Sequence, residues 1–268
     1  MIRIVCADVD GTLVGPSRTV HPSVWQAAER VRAAGIRIAI CSGRPAFGIT
    51  REYADRIDRD GWHIFQNGSS VVQFSSGQSH SGCLTSETVA GLIQRAREAD
   101  RDLELYTDDG YFVESQSPRA RAHAELLGVP FTPRPLDSVR DPIVRAQWLL
   151  SHDEASVVMA EPHPGIEFSP SLSPVMPDTL FLSLMPRGVD KGTGVRAVAE
   201  EYGVGMHQVM FVGDGMNDAP ALAVVGYPIA MGNAEPEARA LAHRVVAGVD
   251  EGGLADAFEL ALQMRVRT

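Results

Sequence analysis

Runs of nearly uninterrupted apolar residues, each closed by acids, a serine or a glycine and followed by a helical pattern, recur at both ends of this chain. Residues 2–7, 36–41 and 208–212 are such runs, and a shorter one at 63–66 leads into the turn Asn67-Gly68. Residues 21–34 place Val24, Ala27, Ala28 and Val31 at helical spacing and stop at Gly35, a helix-ending signal. A further helix is expected after Pro45. The final third repeats the rhythm: a helix at 191–202, a strand at 208–212, a short helix at 218–225, a strand at 227–231, a helix from Glu235, a strand at 244–247 and a closing helix from Gly253. Strands that are apolar throughout and alternate with helices belong to a parallel sheet covered on both faces. A Rossmann-like α/β core is therefore expected.

The middle of the chain breaks that rhythm. Residues 86–99 and 118–127 read as helices, whereas 103–106, 111–113 and 181–184 read as alternating or aromatic strands. Asp108-Asp109-Gly110 is a turn between two of them, and prolines are dense from Pro130 to Pro177. The pattern predicts an α+β domain, an antiparallel sheet with helices on one face. It is inserted at 82–186 into a core made of 1–81 and 187–268.

Composition narrows the partners. The formal net charge of −10 disfavours nucleic acid, which is held mainly by clustered Lys and Arg. No apolar run approaches the roughly 18 residues of a membrane span. The opening MIRIVCADVDG lacks the pattern of a signal peptide, so a cytoplasmic protein is expected. Cys6, Cys41 and Cys83 form no CxxC pair and are expected to be reduced. The 8 histidines are scattered, without HExxH or a Cys/His cluster, which argues against zinc. Nothing calls for an obligate protein partner.

Four segments carry chemistry. Asp8-Val9-Asp10-Gly11-Thr12 directly follows the first strand, and in open α/β sheets ligands sit beyond the carboxyl ends of strands. Two carboxylates this close repel each other unless a cation lies between them, and magnesium suits such oxygen donors. An EF-hand loop does not fit, because Leu13 stands where that loop needs glycine. Gly213-Asp214-Gly215-Met216-Asn217-Asp218 follows another apolar strand, adding acids among glycines that allow close backbone approach. It is not a dinucleotide fingerprint, since Asp218 occupies the last glycine position. Cys41-Ser42-Gly43-Arg44-Pro45 is expected to enter a helix, where a hydroxyl, a glycine and free N–H groups cradle phosphate, although Ser42 could serve only as a cap. Lys191 lies at a helix start in Gly188-Val189-Asp190-Lys191-Gly192, which is not a Walker A loop. Alone it would read as a solvated surface residue.

In order and spacing, these four segments resemble the motifs of the haloacid dehalogenase-like phosphatases. The whole chain is similar to their Cof-type branch, with its larger α+β cap between the second and third motifs. The resemblance implies a magnesium-dependent phosphatase acting on small phosphorylated metabolites, sugar phosphates among them, through an aspartyl-phosphate. It implies Asp8 as nucleophile and Asp10 as general acid and base. Asp8, the main-chain carbonyl of Asp10, and Asp214 would hold Mg2+, with Asp218 completing the shell or orienting a water. Ser42, Gly43, Lys191 and Asn217 would bind the phosphoryl group, and Asn67 and Arg44 would lie near the substrate. One departure is Ser183, in Phe181-Leu182-Ser183-Leu184, where many relatives carry Glu.

Two other readings keep the same residues. Mutases of this superfamily share the phosphorylated aspartate, and a phosphate-binding protein without turnover would be expected to lack an acid or the lysine; none is lacking. Tyr106, Asp108, Asp109 and Tyr111 could face a site or serve only as packing and a turn.

Overall fold

The computed structural model describes residues 1–173 and 175–266. Two compact units are present: Met1–His80 with the chain from Asp190 onward, and Ser81–Val189.

The first unit opens with β1 (Ile4–Ala7), α1 (Pro22–Ala33), β2 (Arg37–Ile40), α2 (Ile49–Asp58), β3 (His63–Phe65), β4 (Ser70–Gln73) and β5 (Gln78–Ser79). Helix α1 begins with Pro22, whose missing N–H is no loss at that position, and buries Val24, Ala27, Ala28 and Val31. Those are the four positions its spacing singled out.

The second unit contains α3 (Ser86–Ala99), β6 (Asp102–Tyr106), β7 (Tyr111–Val113), α4 (Pro118–Leu127), β8 (Arg145–Leu150), α5 (His152–Ala160), β9 (Ile166–Ser173) and β10 (Met176–Pro186). Its strands form an antiparallel sheet in the order β7-β6-β8-β10-β9. On one face Leu103, Leu105, Trp148, Leu150, Leu182 and Leu184 pack with Leu92, Ile93 and Ala96 of α3 and Ala155 and Val158 of α5. The expectation of helices on one face only needs correction. Alternation along the strands gives the other face its own apolar set, Val113, Leu149 and Phe181, and Ala120 of α4 packs there.

That second face also carries a buried carboxylate. Glu104 accepts from the hydroxyls of Tyr106 and Tyr111 at 2.7 and 2.9 Å and from Gln147 Nε2 at 3.1 Å, and His123 Nδ1 lies 2.8 Å from it. Tyr106 and Tyr111 are thus tied into the interior of this unit. Ser183 belongs to the same row and donates to Gln147 Oε1 at 3.3 Å.

The first unit resumes with α6 (Lys191–Glu201), β11 (Val209–Gly213), α7 (Ala219–Val224), β12 (Tyr227–Ala230), α8 (Pro236–Leu241), β13 (Arg244–Val245) and α9 (Gly253–Val266). Its sheet runs β13-β12-β11-β1-β2, every pair parallel. The chain leaves β1 toward β2 on one side, while β11 and its successors extend the other. The order therefore reverses between β1 and β11, where open α/β sheets place their ligands.

The run at 63–66 was expected to extend this parallel sheet, and it does not. Strand β3 pairs antiparallel with β4, and its parallel link to the end of β2 is the single bridge Cys41–Ile64. Side chains occupy the edge instead: Asp58 Oδ2 accepts from Ile38 N at 3.2 Å and His63 Nδ1 from Ile40 N at 3.1 Å. Among the described residues no helix is long and apolar enough to cross a membrane.

Candidate active site

The ladder between β1 and β11 runs one residue past β1, with Asp8 N donating to the Val212 carbonyl at 2.9 Å. This fixes Asp8 at the sheet's carboxyl edge, where it is only 4% exposed. The chain then turns sharply through Gly11, at φ +82°. A Cβ at Gly11 would lie 2.0 Å from Asp214 Oδ2, so only glycine lets the two loops meet this closely.

Strand β11 delivers the opposing loop. Asp218 ends a 3₁₀ turn at Met216–Asp218, and its Oδ2 accepts from the N–H groups of Asp214 and Gly215 at 2.8 and 3.0 Å. The loop is thereby folded back on its own acid. Thr12 Oγ1 donates to Asp214 Oδ1 at 3.2 Å and joins the two loops.

Lys191 enters between them from the first residue of α6. Asp190 caps that helix, accepting from Thr193 N at 2.8 Å. The Lys191 ammonium donates to Asp8 Oδ1 at 2.7 Å and to Asp218 Oδ1 at 2.6 Å, and its side chain is fully buried. Burial alone would lower its pKa, but Asp8 and Asp218 beside it reverse this and hold it above the ordinary lysine value. The solvated reading of this lysine is therefore wrong: a buried ammonium lies between two carboxylates.

The acids respond in the opposite sense. Burial pushes Asp8 well above the usual carboxylate range, Lys191 pulls it back, and Asp218 and Asp214 push it up again. Asp214 is pushed up to about 6, by burial first and Asp218 next, against the Thr12 hydrogen bond and Lys191. Oxygens of Asp8, Asp214 and Asp218 lie within 4.8 Å of one another. With all three carboxylates ionised, they would exceed the one ammonium by two negative charges, the complement of one divalent cation. The donors are all oxygen, which suits a hard ion such as Mg2+. Asp218 has both oxygens engaged by Lys191 and the loop amides, while Asp8 Oδ2 and the oxygens of Asp214 face no cationic partner among the described residues.

The other predicted residues form a neighbouring chain of contacts. Ser42 is buried, but it does not start a helix, because the N-cap of α2 is Gly48. The expected helix-start cradle is instead a loop, stitched to the segment after β3. Ser42 N donates to Ile64 O at 2.9 Å, Asn67 N to Ser42 O at 3.0 Å, Gln66 N to Arg44 O at 2.9 Å, and Ser42 Oγ accepts from Arg44 N at 3.1 Å. Gln66, Asn67 and Gly68 take successive positive φ values of 52°, 55° and 103°, which forces a tight reversal. Through it Asn67 Oδ1 lies where a Cβ on Gly43 would be 3.0 Å away, and it accepts from Asn217 Nδ2 at 3.2 Å. Arg44 grips both oxygens of Asp10, with Nε donating to Oδ2 at 2.8 Å and Nη2 to Oδ1. The Asp10 side chain is thus paired with Arg44 and is 55% exposed.

Two contributors were not singled out from the sequence. Thr12 ends the Asp8–Thr12 segment without an assigned role, and Asn233 lies outside all four segments. The available signal for Asn233 was its place just past β12, a third strand end on the same edge of the sheet. Cys6 and Cys41 are buried free thiols, Cys6 pushed up to about 12 by burial, and so are poor nucleophiles.

Against known proteins, the chain matches the haloacid dehalogenase-like hydrolase family over residues 5–258. It is 25% identical to the HMP-PP phosphatase of Escherichia coli O157:H7, over 92% of this chain and 91% of that one. A phosphatase of the haloalkanoate superfamily from Bacteroides thetaiotaomicron is 27% identical, with a TM-score of 0.80 over 97% and 95% of the two chains. A hypothetical protein from Geobacillus kaustophilus HTA426 superposes with a TM-score of 0.85 at 25% identity, over 98% and 100%.

Proposed function

The chain belongs to the haloacid dehalogenase-like hydrolases and is a phosphatase of that superfamily, and from that premise we propose that it hydrolyses small phosphorylated metabolites through a phosphorylated Asp8. The observation that carries this reading is the buried ammonium of Lys191 bridging Asp8 and Asp218, with Asp214 leaving the fully ionised cluster two negative charges in excess.

In this mechanism an Asp8 oxygen attacks phosphorus as the ester P–O bond breaks, and the leaving alkoxide takes a proton from Asp10. Asp10 then removes a proton from water, which attacks phosphorus, breaks its bond to Asp8 and releases inorganic phosphate. Asp10 must leave Arg44 to do so. The pair is bidentate and half exposed, so substrate must offer Arg44 another anion, such as the phosphoryl group, and Asp10 must take up a proton before it acts as the acid. Lys191, Ser42, the Gly43 amide and Asn217 hold the phosphoryl oxygens, with Asn67 and Arg44 nearer the substrate. Asp8, the Asp10 carbonyl and Asp214 would hold Mg2+, with Asp218 behind them. When bound, the ion supplies positive charge for the phosphoryl oxygens. The need for cations follows from magnitude: two unit charges ~4 Å apart at an effective dielectric near 20 repel by roughly 4 kcal/mol. A carboxylate meeting a phosphate dianion faces on the order of twice that.

The test is phosphate release from p-nitrophenyl phosphate, HMP-PP and a set of hexose phosphates, with and without Mg2+. Turnover should require the ion, and Asp8→Asn should abolish it while the variant stays folded. Near-normal turnover by Asp8→Asn would remove the proposed nucleophile. Conversion of a hexose phosphate to its isomer without phosphate release would mark a mutase.

A further inference from the structure

The loop after β12 supplies none of the proposed metal ligands, yet it grips both loops that do. Asn233 Nδ2 donates to the Gly11 carbonyl at 2.8 Å and to Asp214 Oδ2 at 3.3 Å, while its Oδ1 accepts from Val249 N at 2.9 Å. Both kinds of amide function are therefore in use. Two residues on, Glu235 N donates to Asp214 O at 2.8 Å, and Glu235 Oε2 accepts from Met216 N at 3.0 Å. With Thr12 on Oδ1 and Asn233 on Oδ2, the Asp214 carboxylate is held at both oxygens by neutral donors.

Neutrality is the informative part. A lysine or arginine at position 233 would neutralise Asp214 and compete with a divalent ion, and an acid there would repel it. An amide aims the carboxylate without spending its charge. It also fixes the Gly11 turn, which has no side chain of its own and lies against Asp214.

We propose that Asn233 is a positioning residue that sets the affinity of this site for its divalent cation, by orienting Asp214 and locking the Gly11 loop beside it. The proposal rests on the metal-dependent reading above. Groups of this kind, which hold a ligand rather than the ion, typically change metal affinity 10–100-fold when lost (about one to two orders of magnitude).

The experiment measures Mg2+ binding by calorimetry for the full chain, Asn233→Ala, Asn233→Ser and Asp214→Asn, alongside urea unfolding of each without metal. Serine keeps a polar group too short to span both partners, and it serves if the alanine variant does not fold. The expected result is binding about 10–100-fold weaker in the Asn233 variants, with both variants folded and their metal-free unfolding midpoints lowered only modestly by the lost hydrogen bonds. The Mg2+ concentration for half-maximal phosphate release should rise by the same factor, and the plateau rate should fall by less. Binding within threefold of the unaltered protein, or weakening that merely tracks a lower unfolding midpoint, would overturn the proposal. Failure of the unaltered protein to bind Mg2+ in a manner lost in Asp214→Asn would instead bring down the metal reading, and this inference with it.

Discussion

A side chain such as Lys191 is rarely fully buried unless paired, and here the pairing is uneven: one ammonium faces Asp8 and Asp218, with Asp214 close by. In a metal-free protein the buried, mutually repelling carboxylates are a standing cost, and the Asp8 and Asp214 pKa values are raised first by burial and then by the neighbouring acids. The sign follows from linkage. A carboxyl whose folded pKa exceeds its unfolded one costs stability at high pH, and the cost is relieved as protons bind. For Asp214 the window runs from about 6 down toward the ordinary 3.8. Opposite changes are therefore expected from two substitutions at this cluster. Asp8→Asn, which the proposed mechanism makes inactive, should unfold at a urea concentration equal to or above that of the unaltered metal-free protein at neutral pH. Lys191→Met strands two buried carboxylates and should lose about 3–5 kcal/mol. A Lys191→Met protein as stable as its parent would mean that the acids are already protonated and that the charge count is mistaken.

At the scale of elements, strand identity was legible where the apolar run was long, as in β1 and β11, and where a helix stripe was regular, as in α1. Partnership was not. The run that became β3 looks like another parallel strand, but His63 and Asp58 take the β2 amides that a ladder would use, and no periodicity encodes that exchange. His63 accepts from Ile40 N at Nδ1, and its Nε2 lies 3.0 Å from the Asp58 carbonyl, so the ring must be neutral with its proton on Nε2. Burial lowers its pKa from 6.5 to about 4. Here the unfolded chain takes up the proton first. The stabilising effect is complete above about 6.5 and is lost as pH falls toward 4, on the order of 3 kcal/mol in all. His63→Gln removes this titration. Urea unfolding of both proteins between pH 7 and 4 should give curves that converge as the medium is acidified, with the variant less stable at pH 7. Curves that stay parallel would show that His63 does not titrate in this way.

Across the whole molecule, the residues legible from motifs are those held by strand ends and a helix start: Asp8, Asp214, Asp218 and Lys191. What escaped were contacts made by exchange between loops, such as Asn233 on Gly11 and Asp214, and the second apolar face that α4 covers. These depend on which strand ends become neighbours, and that is decided by topology rather than by local spacing. The same topology makes a global prediction. The proposed ligands come from Asp8 near one end of the chain and Asp214 near the other, joined through the β1–β11 ladder. An ion that binds only when both ends are assembled must stabilise the folded unit by mass action, by about 2.7 kcal/mol at one hundred times its dissociation constant. Amides of Cys6 in β1 and Val212 in β11, both in the interior of that ladder, exchange with solvent only through large openings. Hydrogen exchange should therefore slow at both positions together, by up to about 100-fold in saturating Mg2+, and Asp214→Asn should erase the effect at both. Slowing at one strand without the other would mean that the ion is held by a single loop, and the convergence of the two strand ends on one cation would fail with it.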